Sequence, residues 1–181
     1  MEISGIFTIQ KSTLFSVAYD GEVMEFKRLF DQWISDIAYL EAFFEENKAD
    51  LNSKFYSSIS IEEAIQRTRK QAVLFRNNFL QLIQNPNSEK LQFIFRPLNN
   101  SEYKLKSLSK EKSQADWLRI YAVRISENTY VISGGAIKLT QTMNERPHLQ
   151  AELQKLEMTK RFLIENGLTD ESDFGFVEFD Y

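Results

Sequence analysis

The sequence predicts an α+β fold: a β-hairpin and helices in the N-terminal half, then an antiparallel β-meander with a packed C-terminal helix. Three patterns predict it. Apolar residues recur at helical spacing between Glu22 and Gln84, alternate with polar ones between Tyr103 and Thr140, and return to helical spacing after Pro147.

Ile6 to Ile9 and Leu14 to Tyr19 are β-branched and aromatic runs joined by the polar Gln10-Lys11-Ser12-Thr13, which predicts the hairpin. Tyr19-Asp20-Gly21 then turns the chain. Met24, Leu29, Trp33, Ile37, Leu40 and Phe44 mark a helical stripe, one long helix or two shorter ones with Ser35-Asp36 as the place for a break and a new N-cap. In Ser60-Ile61-Glu62-Glu63 the serine oxygen and the Glu63 carboxylate satisfy backbone N–H groups that a helix start leaves unpaired, so a helix begins there. Its stripe is Ile61, Ile65, Thr68, Ala72, Phe75, Phe79 and Leu82, and Asn85-Pro86-Asn87 ends it.

In the second half, Leu91 to Phe95 reads as a short strand stopped by Pro97, and Tyr103 to Leu108 alternates as a second strand. Trp117 to Ile125 alternates again. Trp117, Arg119, Tyr121, Val123 and Ile125 fall on one face, and Leu118, Ile120, Ala122 and Arg124 on the other. Ser126-Glu127-Asn128 turns into Thr129 to Ser133, and Gly134-Gly135 bends or bulges the strand before Ala136 to Thr140. Pro147 opens the last helix, whose inner stripe is Leu149, Leu153, Leu156 and Leu163, with Gly167 as its cap. Phe174, Phe176, Val177 and Phe179 among acids allow a late edge strand.

At 181 residues and 43% hydrophobic content the chain suits one domain over residues 1–181. Residues 1–90 form a mostly helical half, 91–167 carry the meander and final helix, and 168–181 are an acidic tail. No apolar run approaches the roughly 18 to 20 residues that cross a bilayer, and the N-terminus lacks the layout of a secretory signal, which predicts a cytoplasmic protein without membrane contact. The absence of cysteine excludes disulfides, a thiol nucleophile and Cys-containing zinc sites, and His148 is the single histidine. Neither metal nor cofactor is expected.

The net charge of −4 hides a strong segregation. Residues 1–89 carry 9 Lys and Arg against 13 Asp and Glu, residues 90–161 carry 13 against 7, and residues 162–181 carry 0 against 6, giving −4, +6 and −6. A basic middle that attracts phosphate lies between acidic flanks.

Two stretches of that middle resemble a known family. Asp116 to Ile125 (DWLRIYAVRI) and Thr129 to Gln141 (TYVISGGAIKLTQ) are similar to the RelE/ParE superfamily of toxins, HigB-like members included. Those proteins carry a strand with Arg-Ile-Tyr or similar, a hairpin, an apolar strand, a turn with Lys-x-Thr-Gln-like residues, and a helix. Tyr103 to Leu108 resembles the basic strand that precedes the central hairpin. The likeness covers residues 91–167, while the N-terminal half is longer than in compact members. It implies a ribosome-dependent, metal-independent mRNA endonuclease, neutralised by an antitoxin of helix-turn-helix type. A toxin-fold interaction protein without catalysis is the alternative.

RNA cleavage without a metal needs a base for the 2′-hydroxyl, cations for the charge gathering at phosphorus, and an acid for the leaving oxygen. The resemblance supports Arg119 for transition-state charge. Tyr121 is placed for stacking or proton transfer, or belongs to the core; Lys104 and Lys106 are placed for phosphate binding or are surface lysines, and Arg124 is placed for phosphate binding. Lys138 matches the basic position of the family motif or is a surface lysine. His148, in the first turn of the last helix, is an acid or base or is incidental. The acidic Asp170 to Tyr181 is expected to fold across the basic sheet face as an internal blocker.

Overall fold

In the computed structural model, Ile3–Gln10 (β1) and Leu14–Tyr19 (β2) pair antiparallel as the expected hairpin. The structure describes residues 1–52, 56, 58–84, 91, 95–98, 102–106, 117–140, 143 and 146–176, with residues 96, 97, 102–106, 175 and 176 described in their backbone alone. Asp20 (φ 54°) and Gly21 (φ 77°) turn the chain out of β2, and the Glu22 N–H closes the turn on the Tyr19 carbonyl at 2.9 Å. The helix expected from Glu22 divides at Asp36 into Glu25–Ser35 (α1) and Ile37–Glu46 (α2), because the Asp36 carboxylate accepts the Tyr39 N–H at 2.9 Å and starts a new helix. Lys48–Leu51 (α3) is a single turn. Ile61–Ile83 (α4) begins with both bonds of the expected capping box: Glu63 N–H to Ser60 Oγ at 3.1 Å, and Ser60 N–H to Glu63 Oε2 at 2.8 Å. Asn85-Pro86-Asn87 lie outside the described residues.

The remaining strands are Phe95–Pro97 (β3), Glu102–Lys106 (β4), Leu118–Arg124 (β5) and Tyr130–Ile137 (β6). Pro97 closes β3 on an edge of the sheet, where a missing N–H is tolerated; residues 92–94 of the expected strand, and 107–108 of the next, lie outside the described residues. Pro147–Glu165 (α5) has Pro147 in its first turn, and Gly167 at φ 68° lets the Leu168 N–H reach the Leu163 carbonyl at 2.8 Å.

The sheet order is β1-β2-β6-β5-β4-β3. β3 to β6 form the expected antiparallel meander, and β2 lies parallel to β6 through Leu14–Tyr130, Phe15–Val131 and Ser16–Ile132, so the sheet is mixed. Strands from both halves of the chain therefore share one sheet. Helices cover both faces. On one, Phe26, Leu29, Phe30, Trp33, Phe44, Phe75 and Phe79 pack on Leu118, Ile120, Ile132 and Ile137; on the other, Leu149, Leu156 and Leu163 of α5 pack on Phe15, Tyr121, Val123 and Val131.

Two expectations change. Trp117 precedes β5 and packs with the α4 side, beside Leu118, so it leaves the face of Tyr121 and Val123. The tail residues Glu171–Phe176 form a 3-10 helix instead of an edge strand, with Phe174 buried 4.6 Å from the Phe15 ring; residues 177–181 lie outside the described residues.

The strand does bulge, one residue before Gly134-Gly135. Tyr121 pairs with Gly134 and Ala122 with Ile132, leaving Ser133 as the extra residue. Both faces crowd these glycines: a Cβ on Gly134 would collide with the Glu152 carboxylate, and one on Gly135 would lie 2.5 Å from the Arg119 carbonyl oxygen and 2.9 Å from Leu29.

Candidate functional site

Arg119 stands one residue into β5, half-buried, with Nη1–H donating to the Leu118 carbonyl at 2.7 Å. The register sets it between Ala136 on β6 and Lys106 on β4. Past the end of β6, the Lys138 N–H donates to the Trp117 carbonyl at 2.8 Å, and its ammonium donates to the Thr140 carbonyl at 2.6 Å. A His148 ring nitrogen, Nε2, lies 3.0 Å from the carbonyl of Ile137, the residue paired with Leu118, and the ring meets Phe43 edge-on at 5.1 Å. The β4–β5 and β5–β6 ladders and the His148 contact with Ile137 thus bring Arg119, Lys138, His148 and the backbone position of Lys106 to one end of the sheet.

More cations lie near that end, where α3 and α4 approach it. The Arg67 guanidinium sits 5.0 Å from the centre of the Trp117 ring, and Arg146 makes a two-pronged ion pair with Asp50, Nε to Oδ2 at 2.9 Å and Nη2 to Oδ1 at 2.5 Å. Tyr56 donates to the Leu139 carbonyl at 3.1 Å; burial raises its pKa, with Arg119 and Arg67 pulling it back. Burial also lowers the His148 pKa, opposed by the Ile137 carbonyl and by Glu46, which favours the neutral imidazole.

The other predicted residues are placed differently. Tyr121 has no exposed surface and donates its hydroxyl to Met143 Sδ at 2.9 Å, so it is a core residue and not a group that reaches a phosphate. Lys138 is also buried. Lys104 stands opposite Tyr121 in the register. Arg124 closes β5 and donates to the Ser126 carbonyl at 2.9 Å; five residues of strand, about 17 Å, separate it from Arg119. The described part of the acidic tail docks at this far end, where Ser126 Oγ donates to Glu171 Oε2 at 3.1 Å. It does not cover Arg119 by that contact.

A buried ionic network escaped the sequence reading. Glu25, at the start of α1, accepts Arg28 Nε at 2.6 Å and Nη2 at 2.9 Å. Lys155 of α5 donates to Glu25 Oε2 at 3.1 Å and pairs with Glu152 Oε1 at 3.0 Å. Its ammonium lies 5.5 Å from the Tyr19 ring centre, and the Tyr19 hydroxyl donates to the Ser133 carbonyl at 2.8 Å. Glu152 interrupts the apolar stripe of α5 between Leu149 and Leu156, the one visible signal of this network. Among the described residues, the Glu152 Oε2 atom has no hydrogen-bond partner.

Burial pushes the Glu152 pKa up to about 7; Lys155 opposes the rise and Glu25 adds to it. Between its ordinary range and pH 7, the folded chain holds a proton that the unfolded chain has released, so this group favours folding at the acid end and loses that contribution as pH rises. Glu152→Gln is expected to remove this fall in stability between about pH 5 and 8. Urea unfolding of both proteins across that range checks it, and parallel pH profiles would contradict it. The difference profile also separates Glu152 from His148, whose lowered pKa acts with the opposite sign, costing stability as pH drops below the usual histidine range.

Between α2, α3 and the start of α5 lies a cleft of about 400 Å³, lined by Tyr39, Phe43, Glu46, Asp50, Arg146 and His148 among others. Comparisons with protein-family models, curated proteins and solved structures find no match. Among the described residues, no helix is long and apolar enough to cross a membrane.

Proposed function

We propose that the chain is a RelE/ParE-like toxin, a ribosome-dependent mRNA endonuclease of the cytoplasm that a helix-turn-helix antitoxin neutralises. One observation carries this reading: Arg119 stands in register with Lys106 at the end of the sheet that Lys138, His148 and Arg67 also reach. Attack of a 2′-hydroxyl on phosphorus gathers negative charge on the phosphate oxygens, and a fixed guanidinium stabilises that charge. In the proposed site Arg119 has this role. Neutral His148 takes the 2′-hydroxyl proton; as the 2′-oxygen bonds to phosphorus the bond to the 5′-oxygen breaks and that oxygen takes a proton from water, while Lys104 and Lys106 hold neighbouring phosphates. Lys138 and Tyr121 act by positioning, through the Thr140 carbonyl and Met143 respectively. Arg124, at the far end of β5, meets a more distant phosphate.

Induced expression is expected to arrest bacterial growth. Arg119→Ala should abolish the arrest, while Glu127→Ala, an exposed change in the β5–β6 turn, should preserve it, both variants keeping the wild-type circular dichroism. Arrest by Arg119→Ala as strong as wild type would overturn the assignment. The enclosure of Tyr121 and Lys138 favours a second reading, a toxin-fold interaction protein without catalysis. That reading predicts no arrest, together with stable co-purification of the antitoxin.

A further inference from the structure

We propose that the cleft between α2, α3 and the start of α5 binds a guanine base, supplied either by a free nucleotide or by an unstacked position of an RNA. The cleft shares His148 with the proposed nuclease site, but the inference does not rest on that reading, because most of the lining, Glu46 included, belongs to α2 and α3, outside the part of the chain that resembles the toxins.

Its size falls in the usual range of small-ligand sites, about 300–1,000 Å³. The wall is aromatic. Tyr39 and Phe43 have ring centres 6.1 Å apart, and His148 stands edge-on to Phe43 at 5.1 Å. Flat heterocycles stack on such rings whatever their identity, so the half-buried Tyr39 and His148 supply attraction without choosing among bases, with the buried Phe43 backing them. The neutral state favoured for His148 spares the ligand a neighbouring positive charge.

The choice comes from the acids. Both Asp50 oxygens are engaged by Arg146, which takes that carboxylate out of play. Glu46 lines the cleft and is exposed, and its carboxylate, felt by His148, makes no ion pair or hydrogen bond among the described residues. A carboxylate offers only acceptors, in a pair whose spacing suits two adjacent donors. Guanine presents that pair, its N1–H beside its 2-amino group. Adenine sets an acceptor, N1, beside its 6-amino group, and hypoxanthine keeps the N1–H but lacks the 2-amino group. Ordering by affinity should therefore run guanine, then hypoxanthine, then adenine.

The test is calorimetric titration of the full-length protein with guanosine, inosine and adenosine 5′-monophosphates. The guanine nucleotide is expected to bind at least tenfold more tightly than either of the others. Glu46→Gln should erase most of that preference. Ala42→Leu, at an exposed lining position, should fill the cleft and remove binding with the unfolding midpoint unchanged. Equal affinity for the three nucleotides, no binding of the guanine nucleotide, or binding indifferent to both variants would overturn the proposal. Single-stranded oligonucleotides with one guanine or none then separate the sources: tenfold tighter binding of the guanine-containing strand than of the monophosphate assigns the site to RNA, and equal binding assigns it to a free nucleotide. Guanine binding without mRNA cleavage supports this site while removing the nuclease reading; cleavage without guanine binding does the reverse.

Discussion

Glu25→Ala is expected to destabilise the fold by about 3–5 kcal/mol, the range for removing one partner of a buried ion pair. Glu25 is 3% exposed and holds Arg28 on its own helix and Lys155 on α5. Its loss leaves Arg28 with Gln32 and Lys155 with Glu152 as their remaining polar contacts in this network. The Lys155 side chain is 13% exposed, so water cannot fully replace the missing carboxylate. The damage is also topological, since Glu25–Lys155 joins elements 130 residues apart in sequence. Glu25→Gln keeps the shape and an acceptor, and should cost less. Urea unfolding at pH 7 measures both, and a cost below about 1 kcal/mol for Glu25→Ala, the scale of a surface pair, would mean that solvent screens the network.

Trp117→Ala should cost about as much, roughly 3–5 kcal/mol for deleting a large buried ring. Trp117 has no exposed surface and packs against Phe44 at 5.8 Å and Tyr56 at 5.5 Å. Its indole N–H donates to Thr68 Oγ1 at 3.0 Å, and the Thr68 hydroxyl donates to the Ala64 carbonyl at 2.7 Å. The fall in Tm should be on the order of 10 °C. Trp117→Phe retains most of the burial and loses the hydrogen bond, for a cost of about 1 kcal/mol. Its carbonyl would still accept the Lys138 N–H, so the end of the sheet around Arg119 should keep its arrangement. Equal losses for the two variants in a thermal scan would show that the hydrogen bond to Thr68, and not packing, dominates at this position.

Local features were legible because their physics is local. The capping box at Ser60, the break at Asp36, Pro147 in the first turn of α5, and the bulge before Gly134 each depend on neighbours within a few residues. The meander followed from period-two alternation. What alternation could not reveal was where β5 starts: with Leu118 as its first residue, Trp117 is released to turn toward α4. The parallel pairing of β2 with β6 joins Leu14 to Tyr130, and nothing in either segment alone specifies that partner.

The site was legible in part. Arg119 and the basic strands stood out by charge and spacing, yet whether Tyr121 faced solvent depended on α5 and Met143 covering it. Glu25 looked like an ordinary acid in a first helical turn. Only the approach of α5 makes it a buried partner of Lys155.

The measurement that tests the central claim most directly is to add purified protein to translating ribosomes and map new mRNA 5′ ends, comparing wild type with Arg119→Ala of matched stability. The proposed function predicts discrete cuts by the wild type and a loss of about a hundredfold to a thousandfold in cleavage rate for the variant, the scale of removing one transition-state donor. No cuts by the wild type, or cuts of equal rate by both proteins, would contradict it.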